Sequence, residues 1–242
     1  MTIAAMILAA GRGERMRPLT DSAPKPLLEV RGKPLMQWTM EALARGGFTR
    51  LVVNTAWLDE QIASHFGPHP AWNGDQALSI SYSMEGRDFG GALETAGGIV
   101  RALPLLGEIF WVAAGDVFAP QFAFTQQAVT RFAAGDKLAH LWLVPNPAHK
   151  PGGDFGLSAD GLALDQAPDK YTYSTIGLYR AVLFAPPYCD ISPGNPQGLK
   201  AALAPMLRAA MKKGLVSAAL YPGPWTDVGT PQRLARLNQA SG

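Results

Sequence analysis

The sequence has one cysteine, Cys189, so it can form no internal disulfide. A lone thiol of this kind reads as a small buried hydrophobe in a protein of the reducing cytoplasm. There is no excess of either charge: 21 Lys and Arg face 19 Asp and Glu, a formal net of +2. With no run of basic residues, that balance removes the electrostatic case for binding nucleic acid or an anionic membrane surface. No apolar stretch is long enough to span a bilayer as a helix. Met1 to Ala10 is apolar but has no basic region before it, so it reads as a strand and not as an export signal. Repeats, low-complexity tracts and flexible linkers are also missing. The expectation is one domain over residues 1–242 in a cytoplasmic monomer, long enough to bury a sizeable core.

Two familiar phosphate-binding motifs are missing as well. No Gly-x-x-x-x-Gly-Lys-Ser/Thr spacing occurs, which excludes a P-loop. The dinucleotide fingerprint needs a third glycine where Met16 stands, which argues against a nicotinamide-dependent oxidoreductase. What is present is Leu8-Ala9-Ala10-Gly11-Arg12-Gly13-Glu14-Arg15-Met16-Arg17-Pro18-Leu19, directly after the short apolar run Ile3 to Leu8. Gly11 and Gly13 let the backbone turn with φ > 0 and approach a ligand closely. Successive backbone N–H groups in such a turn form an anion-binding nest. Arg12, Arg15 and Arg17 add forked donors suited to phosphate oxygens. Read alone, this loop is a tight surface turn as readily as a triphosphate cradle.

Further along, apolar runs at 51–53, 78–82, 109–113 and 138–144 read as buried strands. Helical spacing follows Pro34, ending at Gly46-Gly47, and recurs at Leu58, Ile62 and Phe66. A loop is expected over 68–74, a helix from Thr95 that Pro104 ends, and a helix over 122–132. This alternation predicts a doubly wound α/β fold with a mostly parallel sheet. Beyond Pro145 the pattern loosens. Strands are expected at 154–157 and 171–179, with Asp160-Gly161 as the hairpin turn between them. A helix over 199–211, a strand over 216–220 and a last helix capped by Thr230 with Pro231 at its first position complete the reading.

Candidate chemistry gathers at strand ends. Asp116 follows Gly115 at the end of a buried strand, where open α/β sheets place ligands. Asp227, in Trp225-Thr226-Asp227-Val228-Gly229-Thr230, occupies another strand-to-helix turn. Carboxylates in such positions suit Mg²⁺, which takes one or two of them together with phosphate oxygens. Each is also an ordinary turn or helix-start aspartate. Lys25, stiffened between Pro24 and Pro26, reads either as a solvated lysine or as a held ammonium. Asn54 ends a strand and is expected to face the ligand. Glu94-Thr95-Ala96-Gly97-Gly98 opens a helix at small residues, which suits either close approach of a ligand or helix–sheet packing.

The run from Leu8 to Thr20, followed by Pro24-Lys25-Pro26-Leu27, resembles the signature of the sugar-1-phosphate nucleotidyltransferases. The resemblance extends from Met6 to Asn238. It implies a Rossmann-like fold of the nucleotide-diphospho-sugar transferase type with a small substrate-binding β insertion. It divides the chain into a nucleotide half, about 1–120, and a sugar-phosphate half, about 121–242. No β-helix segment follows in these 242 residues, so a single-domain member is expected. The resemblance assigns Leu8, Ala9, Ala10, Gly11, Arg12, Gly13 and Arg15 to the triphosphate of UTP or GTP. Lys25 then lies at the reacting phosphoryl group, and Asp116 and Asp227 share Mg²⁺. The region from Glu85 to Gly98, with Asn54, is expected to contact the nucleotide, and Glu85 to read the base. Asp154, Gly156 and Thr175 are expected on the sugar phosphate. The chain departs from the family where many members carry Glu-Lys-Pro between the sugar-side strands, and where Val117 replaces an asparagine. Relatives that only sense nucleotide commonly lose an aspartate or the lysine; here Arg15, Lys25, Asp116 and Asp227 all stand.

Overall fold

The computed structural model describes residues 3–70 and 78–239. The expected loop over 68–74 falls outside these from residue 71 onward. The strands, in chain order, are β1 (Ala4–Leu8), β2 (Glu29–Val30), β3 (Lys33–Pro34), β4 (Arg50–Thr55), β5 (Ser79–Met84), β6 (Ile109–Ala114) and β7 (Val117–Phe118). They continue with β8 (Ala139–Val144), β9 (Gly156–Leu157), β10 (Ala163–Leu164), β11 (Thr172–Arg180), β12 (Val216–Leu220) and β13 (Thr226–Asp227). The helices are α1 (Leu19–Ser22), α2 (Leu35–Arg45), α3 (Asp59–Phe66), α4 (Glu85–Phe89), α5 (Glu94–Leu106), α6 (Gln126–Ala134), α7 (Leu203–Met211) and α8 (Pro231–Gln239).

Seven strands form one sheet in the order β12-β8-β11-β6-β1-β4-β5. β1 pairs in parallel with β4 and β6, β4 with β5, and β8 with β12; β11 alone runs antiparallel, between β6 and β8. The sheet is therefore mostly parallel, as the alternating pattern predicts. Apolar residues cover both faces, which is why the strands read as continuous hydrophobic runs. Met6 and Val112 pack with Ile99 and Val100 of α5 and Leu207 of α7 on one side. Ile7, Val53 and Trp111 pack with Met36 and Met40 of α2 and Ile62 of α3 on the other. The chain leaves β1 toward β4 on one side and places β6 on the other, so the crevice opens at the carboxyl ends of β1 and β6. Among the described residues, no helix is long and apolar enough to cross a membrane.

Several expected boundaries move. Pro104 lies inside α5 and does not end it. Proline removes the hydrogen bond to the carbonyl four residues earlier. Here Gly194 N–H donates to that carbonyl, Val100 O, at 2.9 Å, so the helix continues to Leu106. The helix expected from residue 122 begins at Gln126, because Thr125 caps it by accepting from Ala128 N–H at 3.1 Å. The helix expected from 199 begins at Leu203, and Pro34 precedes α2 instead of opening it. Asp160-Gly161 turns between β9 and β10, a smaller hairpin than expected; β9 does not turn directly into β11.

Candidate active site

The loop after β1 is held open by contacts along its length. Ala9 N–H donates to Asn54 Oδ1 at 2.9 Å, fixing the start of the loop to β4. Gly13 has φ 68°, and a Cβ there would sit 3.2 Å from Lys25 Cβ; its carbonyl accepts from the Thr20 hydroxyl at 2.9 Å. Gly11 has nothing within 4 Å of where a Cβ would be, so its backbone borders open space. Arg12 is committed to structure. Its guanidinium lies 3.6 Å from the centre of the Trp57 ring, donates to Thr20 O at 2.8 Å and pairs with Asp21. Arg17 also pairs with Asp21, at 2.8 Å. Arg15 makes no ion pair among the described residues and lines the cleft with Nη2 beside Gly229.

The two aspartates meet through backbone pairing. β7 and β13 form a short antiparallel ladder with Val117 opposite Asp227, and Val228 N–H donates to Asp116 O at 3.0 Å. Lys25 is buried, and its Nζ lies 2.5 Å from Asp116 Oδ2. Arg233, in the first turn of α8, donates to Asp227 Oδ2 at 2.5 Å. His149 Nε2 approaches Asp227 Oδ1 to 3.2 Å without a hydrogen bond, so that buried oxygen has no hydrogen-bond partner among the described residues. Asp116 borders a phosphate-sized space, whereas Asp227, on the paired segment, lies outside its lining with that buried oxygen unsatisfied; two hard carboxylates on neighbouring segments are donors of the kind Mg²⁺ takes together with phosphate oxygens. Among the described residues, no group of three or more His, Cys, Asp or Glu side chains is arranged to hold a metal alone. A cation here would need ligands from substrate.

A cleft of about 700 Å³ opens beside Lys25 and Asp116, with Gly229 on its wall and Asp227 outside its lining. Leu8 to Gly13, Arg15, Lys25, Asn54, Asp116 and Thr175 all line it. A second cavity of about 510 Å³ shares Leu8, Glu94, Thr95 and Thr175 with the first, and so continues it. Its walls include Tyr173, Leu203 and Leu207, with one ion pair, Lys150 to Asp154 at 2.6 Å, at its edge. Asp154 also accepts from Tyr173 N–H at 2.9 Å. Thr175 stands on the boundary between the cavities with φ 63°, where the β11–β8 register slips between Tyr173 and Gly177. A β-branched residue in that region is a genuine outlier, and such strain gathers at ligand sites.

Three expected contacts are corrected. Glu85 does not line the cleft. It is fully buried; one carboxylate oxygen accepts from Asn54 Nδ2 at 2.7 Å and the other from Leu93 N–H at 2.8 Å. Burial raises its carboxyl above the ordinary range, and the two hydrogen bonds oppose that shift. Gly98 lies against this carboxylate, since a Cβ there would come within 2.5 Å of Glu85 Oε1. Gly156 packs on Ala167, 2.3 Å from where its Cβ would be, and borders neither cavity. All three residues were assigned from their place in a motif, whereas burial decides what they touch. Sequence reasoning did not single out His149, Lys150 or Arg233. The spacing Lys150-x-x-x-Asp154 and the place of Arg233 just after the Thr230 cap are signals that could have marked two of them.

The nucleotidyl transferase family model matches residues 4–241. The N-acetylmuramate alpha-1-phosphate uridylyltransferase of Neisseria meningitidis serogroup B is 45% identical to the chain, over 98% of each. The protein of the same name from Caulobacter vibrioides is 30% identical over 94% of this chain and 92% of its own. Among solved structures, one described as a glucose-1-phosphate thymidylyltransferase from Bacillus anthracis superposes with a TM-score of 0.79 at 20% identity, covering 99% of this chain and 95% of that one. At that identity the likeness bears on fold alone.

Proposed function

Since the chain belongs to the nucleotidyl transferase family, we propose that it transfers a uridylyl group from UTP to N-acetylmuramate α-1-phosphate, releasing pyrophosphate and the UDP-sugar. The names of its relatives from Neisseria and Caulobacter support this substrate pair. The observation that carries the reading is Lys25 held against Asp116 in the cleft of the glycine–arginine loop, with Asp227 brought beside Asp116 in the backbone by the β7–β13 ladder.

A phosphate oxygen of the sugar 1-phosphate attacks the α-phosphorus of UTP. A new P–O bond forms as the bond from the α-phosphorus to the bridging oxygen breaks, and pyrophosphate leaves in line. The attacking phosphate is already ionised, so no side chain has to remove a proton. The work of the site is to hold two anions together. Arg15 and the N–H groups of the loop bind the β- and γ-phosphates. Lys25, held against Asp116, offers its ammonium to the α-phosphoryl oxygens as charge develops there. Mg²⁺ held by Asp116 and Asp227 would supply Lewis-acid neutralisation of the phosphates of both substrates. The second cavity, with its apolar wall and Lys150–Asp154 pair, takes the sugar. In this reading the protein is one domain of the cytoplasm, where it returns a cell-wall sugar to nucleotide form in peptidoglycan recycling.

The test is pyrophosphate release, with product mass, from UTP or GTP against N-acetylmuramate, mannose, glucose and N-acetylglucosamine 1-phosphates. UDP-N-acetylmuramate as the dominant product is expected. A dominant GDP-mannose product would move the assignment to guanylyl transfer. No turnover with any pair would leave a nucleotide-binding protein in place of an enzyme.

A further inference from the structure

Glu85 is a charged residue with no exposed surface and no ion pair among the described residues. A carboxylate in that position is costly, and an apolar side chain would serve packing better. Its surroundings show what it holds together. One oxygen accepts from Asn54 Nδ2 and the other from Leu93 N–H. Asn54 is itself 3% exposed, and its Oδ1 accepts from Ala9 N–H. The chain of bonds therefore runs from Leu93, through Glu85 and Asn54, to Ala9.

Its two ends lie at two separate lining segments of the cleft. Ala9 begins the glycine–arginine loop, while Leu93 immediately precedes Glu94 and Thr95, which line both cavities. Glu94 itself has φ 59°, a strained start to α5 that a fixed Leu93 N–H helps to hold. Gly98 fits the same arrangement: any side chain there would meet Glu85 Oε1 at 2.5 Å and Asn54 Nδ2 at 2.9 Å.

We propose that Glu85 is a positioning residue for nucleotide binding, its carboxylate setting the polarity of a relay that fixes the phosphate loop against the turn at 93–95. The inference rests on the nucleotidyl-transfer reading of the cleft. Its physical content is direction. An ionised carboxylate only accepts, so Asn54 must turn its amide N–H toward Glu85 and its oxygen toward Ala9. Replacing Glu85 with glutamine keeps size and shape but adds a donor. Two donors then face each other at Leu93 or, if Asn54 flips, at Ala9.

That logic predicts its own rescue. In Asn54→Asp/Glu85→Gln the carboxylate moves one link along. Position 54 then accepts from both Ala9 N–H and the glutamine amide, and the glutamine oxygen accepts from Leu93 N–H. UTP and GTP affinities would be measured by calorimetry with Mg²⁺ on wild type, Glu85→Gln and the swapped double variant, with thermal melts alongside. Glu85→Gln is expected to weaken UTP binding by about 10-fold or more, the scale of one misplaced buried hydrogen bond. The swap is expected to restore affinity to within about 3-fold of wild type. A folded Glu85→Gln that binds UTP as wild type does, or a folded swap that binds no better than the single variant, overturns the proposal. If Glu85→Gln does not fold, the swapped variant alone decides. Wild type that binds neither nucleotide would instead overturn the reading of the cleft, and this inference with it.

Discussion

The backbone carbonyl of Asp116 accepts a hydrogen bond from Val228 N–H at 3.0 Å, and that bond closes the site. It continues the ladder of β7 with β13 and brings the backbone of Asp116, at the end of a central strand, beside that of Asp227, from the far end of the chain. Neither aspartate is in the hydrophobic core, so each can be changed with the fold kept.

Asp116→Asn and Asp227→Asn are therefore each expected to lower kcat by at least about 100-fold, as loss of a group that stabilises transition-state charge does. Melting temperatures should stay within a few degrees of wild type. Pyrophosphate release by the parent protein should also disappear in EDTA and return with Mg²⁺. Near-normal release from either variant would refute the assignment of the pair.

Gly98→Ala is expected to have the opposite sign from the usual helix substitution. Alanine in a helix interior is ordinarily better than glycine by about 1 kcal/mol. Here the added methyl carbon would stand 2.5 Å from the buried Glu85 carboxylate, and Asn54 Nδ2 closes the other side at 2.9 Å. Overpacking of this kind costs about 1–3 kcal/mol. Urea denaturation of the two proteins gives the difference, and a stabilised variant would show that Glu85 can move aside.

The central strands were legible because both faces of the sheet are covered, which leaves uninterrupted apolar runs such as Ala4–Leu8 and Ile109–Ala114. The loop was legible because Gly11, Gly13 and the arginines carry both shape and charge. The β7–β13 ladder was not, since two residues on each side have no periodicity to read. Pro104 misled because the partner that rescues its helix, Gly194, is distant in sequence. Glu85 misled for a related reason. A charged residue in a binding motif reads as ligand-facing, and only the positions of Asn54 and Leu93 reveal that its donors are internal.

Trp57 is tied to the loop from outside the cleft. Its ring lies under the Arg12 guanidinium, and its indole N–H donates to Thr20 O at 2.9 Å. Trp57→Ala removes a cation–π contact and a hydrogen bond, each worth about 1 kcal/mol. The loop loses support while the groups at the reacting phosphorus keep theirs. The expected result is a KM for UTP raised about 5-fold or more, with kcat within about 2-fold of wild type. Steady-state kinetics with saturating sugar phosphate separates the two, and a fall in kcat at unchanged KM would count against it.

His140 gives the fold a pH dependence of its own. It lies on β8, its ring meets the Trp142 edge-on at 4.6 Å, and Nδ1 is 2.8 Å from the Ser217 hydroxyl on β12. Burial pushes its pKa down from the ordinary 6.5 to about 4, because the charged ring would lose its hydration. The unfolded chain thus takes up a proton near pH 6.5 that the folded chain refuses until about pH 4. Stability from the neutral ring is complete above pH 6.5, falls as pH drops through that window, and levels off below it. The fall attributable to this residue is on the order of 2–3 kcal/mol. His140→Gln lacks the titration, so subtracting its unfolding free energy from that of the parent, at each pH, cancels the other titrating groups. The difference should shrink by that amount between pH 6.5 and 4, and parallel curves across the window would mean that the ring is protonated as readily inside the fold as outside it.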